Sequence, residues 1–252
     1  MIGVGRVVLW KGGSAWVGRD TGEAQAHRHH AIQVTLGARP FRIRAADERD
    51  WDEACAAIVM PDRPHVFDGC GHAVAMVFIE PETLPGRALL ARFGHCDVSL
   101  LDDPELAACN TALQEVFQSR GSDAALVDAA QRAVSHLAGA DAHGETVVDA
   151  RILAVLDRIR DHPAAEIDLA KAAAIAHLSP SRFRHLFVAQ TGISFRAYLL
   201  WARVGYAVTR GMAGSSWTEA AQQAGFADSA HLSRTCRRMF GIAPSMLLSE
   251  PA

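Results

Sequence analysis

The sequence predicts a chain of mixed α+β class, with a small β-barrel and two helices in its N-terminal part and an all-α domain in its C-terminal part. Three observations lead to this prediction. Short apolar segments separated by turn residues fill residues 4–79, helical periodicity begins near Asp103, and one helical unit of the C-terminal part occurs twice. A length of 252 residues is sufficient for two domains.

The N-terminal segments are typical of closely spaced strands. The predicted strands are residues 7–10, 15–17, 31–36, 41–43, 57–59 and 73–79. Glycine pairs and Asp-Gly or Asp-Arg-Pro sequences separate them, as expected of turns. A succession of short strands with such turns favours a small barrel or sandwich.

Two helices are predicted after the strands, because apolar residues then recur at helical spacing. The first carries Leu106, Cys109, Leu113 and Phe117, and the second carries Leu126, Ala130, Ala133 and Leu137. Residues 119–122 separate them. Either the two helices only cover the barrel, or they also pair with a second subunit.

The net charge of −3 argues at first against a nucleic-acid partner, but the charge is unevenly distributed. Residues 1–146 carry 13 Lys and Arg against 20 Asp and Glu, a net −7, whereas residues 147–252 carry 12 against 8, a net +4. The change falls in a stretch of small residues at about 138–146, which reads as a linker. We therefore predict domains at 1–140 and 146–252.

Composition also restricts the class of protein. No apolar run approaches the roughly 20 residues of a membrane span, and the start of the chain has no targeting leader. The 5 cysteines are widely spaced without a CxxC pair, so neither a disulfide framework nor a zinc knuckle is expected. These features predict a soluble cytoplasmic protein with no membrane partner.

The C-terminal repeat appears when the chain is shifted along itself by 48 residues, which places Leu169 on Trp217 and Ala172 on Ala220. After one inserted residue the offset is 49, and Ser179 then falls on Asp228. Each copy reads as a short helix, a turn, and a second helix with a good N-cap residue and a closing glycine. A helix from Phe195 onwards joins the two copies.

The second helix of each copy exposes arginine and small polar residues once its apolar face is turned inward. In the first copy these are Ser181, Arg182, Arg184 and His185, and in the second they are Ser229, Ala230, Ser233, Arg234 and Arg237. This is the arrangement of a helix-turn-helix, whose second helix enters the DNA major groove, where an arginine fork matches guanine. Exposed arginines are often merely solvated, but the duplication favours the DNA-binding interpretation.

Residues 147–252 resemble the DNA-binding domain of the AraC/XylS family of bacterial transcription regulators. The matching segments are residues 169–187, 192–195, 224–234 and 240–244. The resemblance implies a seven-helix unit with two helix-turn-helix motifs on adjacent major grooves of promoter DNA, a homodimer, and RNA polymerase as a further partner. The outward residues named above, apart from Arg237, match the positions where that family meets DNA, and Arg237 is expected to contact DNA because it shares their face of the helix. Ala230, which cannot hydrogen-bond a base, and Trp217, which replaces an aliphatic residue, depart from the pattern.

Residues 27–37 and 60–67 are similar to the two cupin segments of sensor domains in this family, which makes the predicted barrel cupin-like. In metal-binding cupins a His-x-His pair and a later histidine hold one ion, and here His27, His29 and His65 match them. Gln33 stands where such cupins have a glutamate. We therefore expect pocket or structural histidines and no cofactor, with a divalent metal as the alternative.

A small-molecule effector is expected in the N-terminal domain, in a pocket lined by Trp10, Trp16, Trp51, His65 and His72. The sequence contains no catalytic motif that would support an enzyme. It therefore predicts a sequence-specific DNA-binding transcription regulator controlled by that effector. The alternatives are a cupin-type metalloenzyme with an appended helical domain and a helical protein-interaction module.

Overall fold

A computed structural model describes residues 2–20, 22–139 and 148–249 of the chain. It confirms the α+β class, with a mostly antiparallel sheet in the N-terminal part and helices in the C-terminal part. The predicted linker lies mostly outside the described residues, so the domain limits at 140 and 146 remain predictions.

One sheet contains all the described strands. They are β1 (Ile2–Trp10), β2 (Gly13–Asp20), β3 (Ile32–Ala45), β4 (Asp52–Val59), β5 (His65–Asp68), β6 (Ala73–Ile79), β7 (Val98–Leu100) and β8 (Leu248–Ser249). Their order is β7-β4-β3-β6-β2-β1-β8, with β5 also paired to β3, and only the β1–β8 pair is parallel.

The pairings described leave this sheet open, so the predicted cupin-like barrel is present as a sheet whose two terminal strands are not paired with each other. Closure would need a ladder between the two terminal strands, which are only 3 and 2 residues long. The two strands expected at 31–36 and 41–43 are one strand, β3, whose register with β4 shifts between Leu36 and Phe41. Strands β5 and β7 and helix α1 (Leu84–Phe93) were not predicted, because short segments carry too little periodicity.

The two helices predicted after the strands are present as α2 (Pro104–Gln118) and α3 (Asp123–Ala138). Their N-caps, Asp103 and Ser122, each accept a hydrogen bond from a first-turn backbone N–H. Their apolar stripes pack on one face of the sheet. The covering role is therefore visible in the fold, and pairing with a second subunit remains a prediction.

The structure of the C-terminal part contains the predicted duplication. Its helices are α4 (Ala150–Asp161), α5 (Leu169–Ile175), α6 (Pro180–Thr191), α7 (Phe195–Met212), α8 (Trp217–Gln223) and α9 (Ser229–Phe240), followed by a short 3₁₀ helix (Pro244–Met246). Helices α5 and α6 form the first motif, α8 and α9 form the second, and α7 connects them. Among the described residues, no helix has the length and apolar character needed to span a membrane.

The two motifs differ in how their cores are built. The first has its own core, in which Phe183, Phe187 and Tyr198 pack with the apolar side of α4. The second shares its core with the sheet, because Leu232 and Phe240 belong to the same cluster as sheet residues such as Trp16, Phe41 and Phe78. Alternate residues of each strand point to opposite faces. One sheet face is thus covered by α2 and α3, and the other by the second motif.

Candidate nucleic-acid interface and adjoining cavity

The second helices of the two motifs, α6 and α9, begin and end in the same way. Ser179 Oγ accepts a hydrogen bond from the backbone N–H of Arg182 at 3.4 Å, and Asp228 Oδ1 accepts one from that of His231 at 2.6 Å. Gly192 and Gly241 end the helices with φ of +78° and +73°, a conformation that favours glycine. Matched ends place α6 and α9 in equivalent positions within their motifs.

Small residues allow the first helix of each motif to approach its neighbours. Ala172, Ala173 and Ala176 in the first motif, and Ala220, Ala221 and Ala224 in the second, are all almost fully buried. The unusual Trp217 has a partner in α7: a Cβ added to Gly211 would lie 2.2 Å from its ring. The tryptophan therefore occupies space that a glycine in the connecting helix leaves open.

The residues predicted to contact DNA lie on the solvent-facing sides of α6 and α9. Ser181, Arg182, Arg184, His185, Ala230, Arg234 and Arg237 are exposed, and Ser229 and Ser233 are partly exposed. The residues between them, such as Phe183 and Leu232, are completely buried. Among the described residues no ion pair involves the arginines of these two helices, so their guanidinium groups face solvent without a carboxylate partner.

A cavity of about 110 Å³ lies between the sheet and helices α7 and α9. Predicted pocket residues Trp10 and Trp16 line it, but its other aromatic walls come from the C-terminal part. These walls are Trp201, Tyr206 and Phe240. Sequence reasoning missed them because it sought the pocket within the N-terminal domain alone.

The other predicted pocket residues lie elsewhere. Trp51 packs against the guanidinium groups of Arg42 and Arg44, whose Cζ atoms are 5.1 and 4.9 Å from its ring centroid. His72 is half-buried in the turn before β6, and His65 lies in a cluster of histidines described below. The structure therefore brings two of the five predicted residues, Trp10 and Trp16, to the cavity.

A buried ion pair forms part of the cavity wall and joins α4 to the sheet. Arg160 donates two hydrogen bonds to Glu80 Oε2, the one from Nε at 2.8 Å, and the hydroxyl of Tyr198 donates a third at 3.0 Å. Burial raises the pKa of Glu80, and the charge of Arg160 opposes that shift. Burial also raises the pKa of Tyr198, with the charge of Glu80 adding to the effect. A glutamate directly after the apolar run of β6 is the sequence feature that marks this position.

Three histidines come together as the cupin resemblance implied. His27, His29 and His65 are buried, and one ring nitrogen of each lies within 4.8 Å of the others. Burial lowers the pKa of His29 to about 4 and that of His65 to about 3, so the rings are neutral at pH 7. His30 instead contacts Glu82, with Nε2 2.9 Å from Oε2. Burial alone would lower the pKa of His30, but the contact with Glu82 outweighs it and raises that pKa.

Comparison with known proteins gives a match to the family described as "Helix-turn-helix domain" over residues 172–250. The fold is similar to ToxT from Vibrio cholerae, with 14% sequence identity, a TM-score of 0.56, and coverage of 94% of this chain and 99% of ToxT. A structure of apo ToxT gives 10% identity, coverage of 95% and 97%, and a TM-score of 0.58. A third, of ToxT bound to an unsaturated fatty acid, gives 10% identity, coverage of 95% and 96%, and a TM-score of 0.54. No curated protein matches the chain.

Proposed function

We propose that the chain is a DNA-binding transcription regulator of the AraC/XylS family, in which α6 and α9 read two adjacent segments of a promoter under the control of a small molecule. The observation that carries the proposal is the pair of matched helices with exposed arginine-rich faces. The C-terminal part, at +4, supplies attraction to the phosphate backbone, and the −7 N-terminal part is repelled by it. Because +4 is modest, base contacts and dimerisation must contribute much of the affinity.

Within this proposal Arg184 and Arg234 are the principal base readers. Each is exposed near the middle of its helix, and a guanidinium fork matches the O6 and N7 atoms of guanine. Ser181 and Ser233 would hydrogen-bond bases or phosphates nearby. Ala230 has only a methyl group to offer, which suits contact with the methyl group of thymine.

The effector site is the cavity between the sheet and helices α7 and α9. Its walls are largely aromatic, and Arg160, the only cation among the described residues that line it, is already paired with Glu80. The cavity therefore suits a small, largely apolar molecule. That ToxT binds an unsaturated fatty acid supports an apolar effector, although a volume of about 110 Å³ requires a smaller molecule or expansion of the cavity.

The shared core explains how an effector at this position would act on DNA binding. The second motif packs on the sheet through Leu232 and Phe240, so a molecule between the sheet and α7 changes the surface on which α9 rests. A ligand that fits one arrangement of α9 better than another shifts the population toward it. The first motif, which has its own core, is affected less.

A homodimer, with α2 and α3 as the pairing elements, would place two C-terminal parts on one promoter. The side of these helices that faces away from the sheet carries both charges and small residues, including Glu105, Ala108 and Arg132. RNA polymerase is a further partner if the regulator activates transcription. These interactions take place in the bacterial cytoplasm, where the promoter lies.

The DNA proposal is tested by capturing genomic fragments on the purified protein and measuring affinity for the recovered promoter. Arg184→Ala and Arg234→Ala should each weaken the free energy of DNA binding by about 1–3 kcal/mol and relax the sequence preference at one base pair. Arg49→Ala, which removes an exposed arginine from the N-terminal part, is the control for lost charge. An affinity that is the same at low and high salt, or equal losses in all three variants, would contradict the proposal.

The effector site is tested by filling it. Gly205 faces the cavity from α7, and a Cβ added there meets only Leu9, at 3.9 Å. Gly205→Leu should abolish stabilisation by any small apolar compound that raises the melting temperature of the unaltered protein. If such compounds stabilise both proteins equally, they bind elsewhere.

A further inference from the structure

The three buried histidines have the arrangement of a metal site rather than of packed core residues. His27 and His65 are held by a reciprocal pair of backbone hydrogen bonds, of 3.0 and 2.9 Å, which fixes the two segments side by side. The centroids of these two rings are 4.2 Å apart, and the ring of His29 lies 6.0 Å from the first and 5.3 Å from the second. The rings converge from three points of the chain on one small volume.

Backbone carbonyls fix the tautomer of all three rings. The Nδ1 atoms of His27, His29 and His65 lie 2.9, 2.8 and 2.9 Å from the carbonyl oxygens of Gln25, Ala31 and Arg63. A carbonyl oxygen only accepts hydrogen bonds, so each Nδ1 carries the proton and each Nε2 carries a lone pair. Histidine ligands of metals are oriented by outer hydrogen bonds of this kind.

The lone pairs that remain lack suitable partners. Nε2 of His27 and Nε2 of His65 are buried and have no hydrogen-bond partner among the described residues. Nε2 of His29 lies 3.0 Å from Oε1 of Gln33, a contact between two acceptors that only an inverted amide would make favourable. Buried acceptors without donors are unfavourable, and a cation bound by all three would remove that cost.

The chemistry of the ligand set selects the class of ion. Three neutral imidazoles suit zinc, copper, nickel, cobalt or iron(II), and in the described part of the chain no carboxylate joins them that would favour magnesium or calcium. Nitrogens bound to zinc at about 2.0–2.1 Å lie at most about 4.2 Å apart, so only a small inward movement of the rings is required. Three protein ligands leave a further coordination position open.

The cluster is in direct contact with the end of the second reading helix. The backbone N–H of Gln25 donates to the carbonyl of Gly241 at 3.1 Å, and that of Arg28 donates to the carbonyl of Arg238 at 3.3 Å. A Cβ added to Gly241 would lie 2.9 Å from Nδ1 of His27. Movement of the histidine-bearing segment is therefore transmitted to α9 without an intermediate layer.

We propose that His27, His29 and His65 bind one divalent transition-metal ion and that this ion adjusts the position of α9, making the regulator responsive to metal. The second half of the proposal rests on the proposed DNA-binding function. The first half does not, so the two are measured separately.

Metal binding is measured by titrating the chelator-treated full chain with Co²⁺ and with Zn²⁺. One Co²⁺ per chain is expected, with the visible absorption of an imidazole site and no thiolate charge-transfer band. The absence of that band distinguishes the site from adventitious binding at the exposed cysteines, Cys55, Cys70 and Cys96. His65→Gln should lose the bound ion, whereas His162→Gln, which changes an exposed histidine, should keep it.

If His65→Gln does not fold, His29→Gln and the melting temperature of the unaltered chain take its place. Zn²⁺ at 100 times its Kd should raise that melting temperature, because the ion binds the folded state. The metal site is overturned if no stoichiometric ion binds, if a thiolate band appears, or if a folded ligand variant retains the ion.

The link to α9 is measured as the affinity for a recovered promoter fragment with Zn²⁺ and with chelator. The unaltered chain should change its Kd by about 5–150-fold, and His65→Gln should not respond. An unchanged Kd with metal bound overturns the link alone. Failure to bind DNA in either state overturns the proposed function as well, while the Co²⁺ titration still decides the metal site.

Discussion

The ion pair between Arg160 and Glu80 gives the sharpest prediction for stability. Both side chains are only 10% exposed, and removing one partner of such a pair leaves an uncompensated buried charge. Arg160→Met keeps a long side chain and should lower the free energy of unfolding by about 3–5 kcal/mol. In a chain of this size that corresponds to a fall of roughly 6–20 °C in melting temperature.

The matched control lies on the same helix. Arg151 pairs with Asp149 at 2.7 Å, but its side chain is 48% exposed. Exposed pairs contribute about 0–1 kcal/mol, so Arg151→Met should have little effect. Urea unfolding followed by circular dichroism measures both variants, and equal losses would refute the reasoning that Arg160 fastens α4 to the sheet.

The deficit of Arg160→Met should also depend on pH. Burial raises the pKa of Glu80, and without Arg160 the strongest opposing influence is lost, which leaves only the weaker one of His30. A carboxyl whose folded pKa is raised contributes stability below its unfolded value of about 4.5 and loses it as pH rises through the folded pKa. The difference from the unaltered chain should therefore be small near pH 4.5 and larger at pH 7, and a deficit that grows on acidification would point to another cause.

Two further predictions use internal comparisons. Gly192→Ala should lower the free energy of unfolding by about 1–2 kcal/mol from its positive φ alone. Gly241→Ala should lower it by more, because its Cβ would lie 2.4 Å from the carbonyl oxygen of Gln25. Equal losses in urea unfolding would show that the end of α9 is not packed on the segment between β2 and β3. Burial raises the pKa of the Cys236 thiol to about 12 and also raises that of Cys109, so a thiol reagent should modify these two only after denaturation. The thiols that react in the native protein should be those of Cys55, Cys70 and Cys96.

The helical half was accessible to sequence reasoning because its structure is set by local features. Caps such as Ser179 and Asp228, closing glycines such as Gly192, and apolar spacing all act within a few residues of one another. Because the helical unit is duplicated, each of these features occurs twice in the sequence, and each copy supports the prediction made for the other. The exposed positions of the reading helices followed from the same spacing.

The sheet and the cavity depend on pairings that local features do not determine. Strand β3 joins two predicted strands across a shift of register, and β8 adds the C-terminal end of the chain to the edge of β1. The cavity combines Trp16 with Trp201 and Phe240, residues far apart in the sequence. Periodicity identifies which residues are buried but not which distant residue each one meets, so a pocket shared by two parts of the chain could not be predicted.

The unequal cores of the two motifs connect these findings. In the sequence the two motifs are similar copies of one unit. In the structure the first motif packs within the C-terminal part, whereas the second packs on the sheet, the cavity and the three histidines. The second motif shares its core with another part of the molecule, so a ligand bound in that part can displace it. Under the proposed function, the first motif would supply constant affinity for the promoter, and the second would make that affinity conditional on the ligand. On this basis, replacing Arg184 should weaken binding equally in the presence and absence of Zn²⁺, whereas replacing Arg234 should reduce the effect of the ion itself.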